Sequence, residues 1–451
     1  MEWFIFLFAL INKKRKIYLF TANKSANMMT QETLRKVIVE YQQFIETVEL
    51  QERSYAFEQG AKYVMVGVRH AGKSYLLYQR ARQLLACGRS IEDICYVNFD
   101  DERLGGMKAV ELDMILTAYR SLYDRTPVLF FDEIQNVIGW ERFARRLANE
   151  KYQVFITGSN AKMLSREIAT TLGGRYLTME VMPYSFREYV RASGGRPAKH
   201  WKYGREAGRI ARLCEGYLRF GGFPEVLGYA NKRAWLNGLY GRIFFSDMVV
   251  RNGIKNEEGL RLSVRKLAES VGRPAAYNRI ANLVKAAGGA TTTASVRDYV
   301  RFMRETCLVF SIANSAAKFA ERESVKKHYF IDNGLLNIFL TDPDSALLEN
   351  VCAVALHRVY GDALYFYRQN VEVDFYVPTE GLAVQVCWSL GDADTRAREL
   401  NALAKLDARS PLKRMVVVTR DEAERILLPS GRTVEVMPLA EWLMEIEGGE
   451  G

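Results

Sequence analysis

Histidine and cysteine are scarce. Four histidines and six cysteines (Cys87, Cys95, Cys214, Cys307, Cys352 and Cys387) are spread over 451 residues, and no two cysteines form a Cys-x-x-Cys pair. That spacing argues against a structural zinc site and against a disulfide framework. Scattered single cysteines suit a reducing, cytoplasmic setting. Low-complexity tracts and fixed-period repeats are absent too. An apolar run at Trp3 to Ile11 is too short for a bilayer, which takes about 20 residues. Its positive cluster, Lys13 to Lys16, follows the run, whereas a secretory signal carries it in front. Integral membrane insertion is therefore not expected. Met28 and Met29 precede a helical pattern from Glu32 to Glu52. Residues 1–28 are read as a start-site extension or loose tail, with a weak membrane-surface anchor as the alternative.

What remains is ordinary globular composition, 49% apolar and 26% charged, in a chain long enough for two or three domains. The net charge of +10 favours an anionic partner such as nucleic acid, although many basic proteins bind none.

The strongest signal lies at Lys62 to Leu77. A short β-rich run, Tyr63 to Val66, leads into Gly67-Val68-Arg69-His70-Ala71-Gly72-Lys73-Ser74, and a helical stretch follows from Tyr75 to Leu85. This is a P-loop in its required context, strand before and helix after. Glycines let backbone N–H groups turn inward around phosphate oxygens. Lys73 can reach the β and γ phosphates of ATP, Ser74 can ligate Mg2+, and the helix N-terminus favours anions. Residues 67–75 are the expected nucleotide contacts. A glycine-lysine loop can arise by chance, so the second element matters. Val128 to Phe131 reads as a buried parallel strand ending in Asp132 and Glu133. Ligands gather at the carboxyl ends of such strands. Asp132 is expected to hold the magnesium shell and Glu133 to act as general base on the attacking water. The bland reading of the pair is a helix cap.

A third strand, Tyr152 to Ile156, ends in Thr157-Gly158-Ser159-Asn160. Ser159 and Asn160 are candidates to sense the γ-phosphate, with a plain turn as the alternative. Ile94 to Phe99 is a further strand, and alternation with helices implies an α/β fold with a parallel sheet. Gly173-Gly174 before Arg175 could present a guanidinium to phosphate, within the protomer or in a neighbour. A surface arginine is the alternative, and Arg166 is the second candidate.

Together GVRHAGKS, VLFFDEIQN, FITGSNAKML and LGGRYLTMEVMPYSFREYV resemble prokaryotic AAA+ P-loop ATPases that carry an uncharacterised C-terminal region. Tyr217 to Leu227 (YLRFGGFPEVL) and Tyr329 to Phe339 (YFIDNGLLNIF) resemble further signatures of that family. The resemblance implies an AAA+ ATPase core at 29–190, with the roles above for Lys73, Ser74, Asp132, Glu133 and Ser159 or Asn160. It also makes a homo-oligomer one open arrangement and a monomeric switch another.

Residues 191–258 read as a helical lid or connector, with a turn at Gly221, Gly222 and Pro224. Residues 259–325 look like a winged helix: helices at Leu262 to Val271, around Tyr277 to Val284, and at Thr293 to Arg304 with Thr293 as cap. The last helix carries Arg297, Arg301 and Arg304. A basic second helix suits the DNA major groove; solvated arginines on a protein-contact module are the alternative. Residues 326–451 read as mixed α/β, with a helix at Glu349 to Val359 and strands at Ala363 to Tyr367, Val371 to Val377 and Leu382 to Cys387. This resembles the restriction-endonuclease-like core. Asp374 matches its first metal-binding acid, but Gln385 and Cys387 stand where the second acid and the lysine are expected. Neutral glutamine is a poor metal ligand and cysteine lacks the ammonium, so cleavage should be lost. Glu349 belongs to a residual site or is a surface acid. The chain is therefore expected to be an ATPase that switches or remodels nucleic-acid complexes. The alternative is a nucleotide-dependent protein switch with slow hydrolysis, the C-terminal region serving as a protein contact. An active nuclease and a small-molecule kinase fit less well.

Overall fold

A computed structural model describes residues 30–159, 170–196 and 200–448. The N-terminal segment 1–28, together with Asn160 and Arg166, therefore lies outside the described residues.

Buried apolar runs become strands where expected: β1 (Tyr63–Val66), β2 (Ile94–Asn98), β3 (Val128–Asp132) and β4 (Gln153–Gly158). A fifth strand, β5 (Leu177–Glu180), completes a parallel sheet in the order β2-β3-β4-β1-β5. Its side chains are mostly exposed at the sheet edge, so no apolar run announces it. Helices α1 (Gln31–Thr47), α2 (Lys73–Ala86), α3 (Asp113–Arg120) and α4 (Trp140–Asn149) accompany this sheet. Helix α1 starts where the Thr30 hydroxyl accepts from Thr33 N at 3.1 Å, and it buries Leu34, Val37, Ile38 and Ile45 at helical spacing. It ends at Thr47, short of the expected Glu52.

Next come α5 (Phe186–Ala192), α6 (Ala207–Phe220), α7 (Lys232–Arg242) and a π-helical stretch, Ile243–Val250. A Ser185–Glu188 capping box opens α5. Three further helices, α8 (Glu257–Ala268), α9 (Tyr277–Ala286) and α10 (Thr293–Glu305), follow. The cap of α10 is Thr292, whose hydroxyl accepts from Ser295 N at 3.0 Å, not Thr293; the cap must sit outside the helical dihedrals.

The remaining strands are β6 (Ala275–Ala276), β7 (Val309–Asn314), β8 (Val325–Phe330), β9 (Tyr365–Arg368), β10 (Glu372–Val377), β11 (Leu382–Val386), β12 (Arg414–Thr419), β13 (Glu424–Leu427) and β14 (Thr433–Pro438). All nine form one mixed sheet, β13-β14-β12-β11-β10-β9-β7-β8-β6. This sheet runs across the expected boundary between residues 325 and 326. That boundary falls at the start of β8, which pairs with β7, and β7 pairs in parallel with β9 through Ala313↔Tyr365 and Asn314↔Phe366. The hairpin would otherwise present an open edge, and pairing with β9 closes it. Helices α11 (Asp344–Tyr360), α12 (Ala393–Arg409) and α13 (Leu439–Ile446) complete this half.

The two late signature segments form the joint between the halves. The Asp332 carboxylate accepts from Gly222 N at 2.7 Å and from Gly334 N at 2.8 Å. Gly221 has φ +73°, and a side chain there would run into that carboxylate. Asn333 Nδ2 donates to Leu218 O and Leu347 O, both at 2.9 Å. Burial pushes the Asp332 carboxyl up to about 6, with those backbone donors opposing it. Helix α13 returns to the first half: Trp442 is buried, and Arg187 Nε donates to Met444 O at 2.7 Å. No helix among the described residues is long and apolar enough to cross a membrane.

Candidate nucleotide site

The loop after β1 is shaped by two left-handed residues, His70 at φ +60° and Gly72 at φ +93°. At Gly67 a side chain would collide with the Val181 carbonyl. Val68 and Ala71 are fully buried as the floor of the loop. Lys73 opens α2 and is 4% exposed. Its ammonium donates to Gly67 O at 3.1 Å and Val68 O at 3.2 Å and lies 3.5 Å from Glu133 Oε1.

The acidic pair ends β3. Asp132 is fully buried. Tyr96 donates its hydroxyl to Oδ2 at 2.7 Å, and Thr157 donates to Oδ1. Burial and then the charge of Glu133 raise the Asp132 pKa, while hydrogen bonds from Thr157, Ser74 and Tyr96 oppose the rise. Glu133 adopts φ +52°, a strained conformation for a non-glycine residue that aims its carboxylate at Lys73. Its N–H donates to Thr157 Oγ1 at 3.0 Å, so one hydroxyl orients both acids. Burial raises the Glu133 pKa, but Lys73, Gln135 and Arg69 more than offset it and hold the carboxyl below its ordinary value.

A cleft of about 650 Å³ brings together Arg69, His70, Gly72, Lys73, Ser74, Tyr75, Asp132 and Glu133. Ser159 is buried one step behind, accepting from Gln135 Nε2 at 3.4 Å, while Gln135 also donates to Glu133. Arg175 is not brought to this cleft. It precedes β5, whose Leu177 pairs with Tyr63 at the amino end of β1, and the P-loop leaves the carboxyl end. Its exposed guanidinium instead donates to Gly173 O at 3.1 Å. Of the two placements considered for Arg175, the one within the protomer is not seen here, and the one toward a neighbour is left open. The glycine pair turns the chain into an edge strand that the sequence did not announce.

The cleft suits a magnesium nucleotide. Among the described residues no group of three or more His, Cys, Asp or Glu side chains could hold a metal unaided. One buried carboxylate beside the Ser74 hydroxyl instead matches Mg2+, which takes one or two protein ligands and completes its shell with phosphates and water.

Three contributors escape sequence reasoning, and a fourth, Thr157, stood there only as part of the turn that ends the third strand. Arg53, 4% exposed, donates from Nη1 to Ala71 O at 2.8 Å and from Nη2 to Met182 O at 2.8 Å and Glu188 at 2.9 Å. It stitches the P-loop to the start of α5. Thr157 holds the two acids, Glu225 meets His70 Nδ1 at 2.6 Å, and Asp247 meets Arg69 Nε at 2.6 Å. Of Arg53, Glu225 and Asp247, only Asp247 leaves a trace in the sequence: a lone acid in the apolar run IFFSDMVV must be paired when buried.

Comparison with known proteins agrees with this geometry. The family described as "AAA domain" matches residues 60–190, and "Domain of unknown function (DUF8612)" matches residues 211–345. "Uncharacterized protein MJ1544" of Methanocaldococcus jannaschii is 32% identical over 394 residues, covering 84% of this chain and 87% of that protein. An "Uncharacterized protein" of Haemophilus influenzae is 28% identical over 337 residues, covering 72% and 82%. Among solved structures, the Aeropyrum pernix ORC1 protein in complex with DNA aligns at 14% identity over 72% of this chain and 94% of that one, with a TM-score of 0.31, too loose a superposition to argue from. With a parallel P-loop sheet, an AAA domain matched at residues 60–190 and a relative matched along most of its length, the chain belongs to the family of protein MJ1544 and carries an AAA domain.

Proposed function

We propose that the chain binds ATP with Mg2+ and hydrolyses it. The observation that carries this reading is the approach of Lys73 to Glu133 at 3.5 Å beside the buried Asp132 and its hydrogen-bond partner Ser74. Ser74 and Asp132 would hold the magnesium ion, which when bound neutralises charge on the β and γ phosphates. The loop amides and Lys73 bind and orient the triphosphate. Glu133 is kept ionised by its neighbours and so is ready to take a proton from water. Ser159 stands behind Glu133 as a sensor, and the same role is proposed for Asn160, which lies outside the described residues. The test is magnesium-dependent ATP turnover: Glu133→Gln should bind nucleotide yet lose turnover by on the order of 10²- to 10⁴-fold. Undiminished turnover by purified Lys73→Ala would overturn the site assignment.

The cycle is read as a switch, because P-loop side chains grip the following region through Arg69–Asp247 and His70–Glu225. Nucleic acid is the favoured target. Arg297 and Arg304 are exposed on α10, whereas Arg301 is engaged by Asp298 at 3.0 Å and Glu305 at 3.6 Å. A gel shift that weakens steeply between low and moderate salt and is reduced by Arg297→Ala with Arg304→Ala supports DNA contact; protein capture only with ATP and no shift at low salt favours the signalling alternative. An Arg175 role survives only toward a neighbouring protomer. Nuclease chemistry is not proposed. The Gln385 amide is spent on Glu399 at 2.7 Å and on Asp374 N at 2.7 Å, and Lys327 sits 3.1 Å from Asp374.

A further inference from the structure

The cleft contains an arginine other than the expected one. Arg69 is the third residue of the P-loop and lines the cleft. Its side chain is 32% exposed and is gripped by Asp247, with Nε at 2.6 Å from Oδ2 and Nη2 at 3.1 Å from Oδ1. Those bonds use Nε and Nη2 and leave Nη1 outside the Asp247 pair, on a residue that lines the cleft. Asp247, 3% exposed at its side chain, also accepts from Arg251 at 3.0 Å. Two guanidinium groups on one carboxylate leave net positive charge beside the loop. The Asp247 bond and the neighbouring Glu133 both favour the charged guanidinium. Asp247 lies on the π-helical stretch Ile243–Val250, a geometry found often at functional sites.

Building on the ATPase reading, we propose that Arg69 stabilises the phosphoryl group during its transfer, within a single protomer, and that Asp247 is its positioning residue. In that step the water oxygen bonds to the γ-phosphorus while the bond to the bridging oxygen breaks. The bridging electron pair leaves with ADP. The water proton goes to Glu133 and then to inorganic phosphate or solvent. Charge spread over the equatorial oxygens meets the planar guanidinium fork.

The experiment uses the full chain and the variants Arg69→Ala, Arg69→Lys, Asp247→Asn and Glu133→Gln. Turnover is measured together with affinity for fluorescent ADP and trapping of ADP–aluminium fluoride. Arg69→Ala should lower turnover on the order of 10³-fold, keep ADP affinity within about threefold and abolish trapping. Guanidinium ion should restore part of its turnover while leaving the parent chain unaffected. Arg69→Lys should not rescue, lacking the fork. Asp247→Asn keeps the shape and should lower turnover by roughly 10- to 100-fold through misplacement. Normal turnover in Arg69→Ala beside a dead Glu133→Gln overturns this inference alone. Equal loss of ADP affinity and turnover, without guanidinium rescue, also overturns it, as that marks a structural role. A parent chain without turnover, or an active Glu133→Gln, overturns the ATPase reading and this inference with it.

Discussion

Lys327 offers a test of how buried charge is handled in the second sheet. Its side chain is fully buried on β8, with Nζ at 3.0 Å from Glu372, 3.1 Å from Asp374 and 3.5 Å from Glu349. Tyr329 donates its hydroxyl to Glu349 at 2.7 Å. Lys327→Met keeps most of the volume and deletes the cation. Breaking a buried ion pair by removing one partner costs about 3–5 kcal/mol, because the other charge is left uncompensated. The cost should depend on pH. Burial pushes the Glu349 carboxyl up to about 7, with Lys327 opposing the rise. An unfolded glutamate titrates at 4.5, so between those values the folded chain binds more protons and stability falls as pH rises. Removing Lys327 raises Glu349 further and widens that window upward. The loss on Lys327→Met should therefore be smaller near pH 5, where Glu349 is protonated and only Glu372 and Asp374 lose a partner, and approach about 3–5 kcal/mol near pH 8. Urea unfolding followed by fluorescence at both pH values reads it. Lys327→Met combined with Glu349→Gln should recover part of the loss at pH 8. Equal losses at both pH values, or no recovery in the double variant, would refute the charge argument in favour of packing.

Thr157→Val removes the hydroxyl that serves both Asp132 and Glu133; turnover should fall roughly 10- to 100-fold with nucleotide affinity, followed by a fluorescent analogue, much less changed. Arg53→Met leaves Glu188 buried without its partner and should cost about 3–5 kcal/mol, seen as a lower urea midpoint, while Arg53→Met with Glu188→Leu should recover much of it. His328 is buried and held neutral, its pKa lowered from 6.5 to about 3 by burial and by Arg304 and Lys326. The unfolded chain takes up that proton first, so the stabilisation present above pH 6.5 is lost as pH falls toward 3. At about 1.4 kcal/mol per pH unit this amounts to about 5 kcal/mol, and His328→Gln should flatten the acid limb of a thermal-melt pH profile.

The nucleotide loop and the acidic pair were legible because their geometry is local. Gly67 and Gly72 set the turn, β1 and α2 flank it within a few residues, and an apolar strand ending in Asp132 and Glu133 carries its own address at the carboxyl edge. In the second half α8 to α11 and β9 to β11 also declared themselves through periodicity, whereas β8, β12 to β14, α12 and α13 were not read from the sequence. Their assembly did not: that β7 would pair with β9 and fuse two expected domains into one sheet is a contact between distant segments, and strand patterns alone do not name a partner. The same reason explains Arg175, whose glycine-rich approach suggested reach but whose strand register delivers it to the wrong end of the sheet. Arg69 and Asp247 are 178 residues apart, as remote in the chain as they are adjacent in space. Residue type and short-range backbone freedom determined what chemistry the loop can perform, and only tertiary packing decided which distant charges surround it, because charge pairing follows burial rather than sequence order.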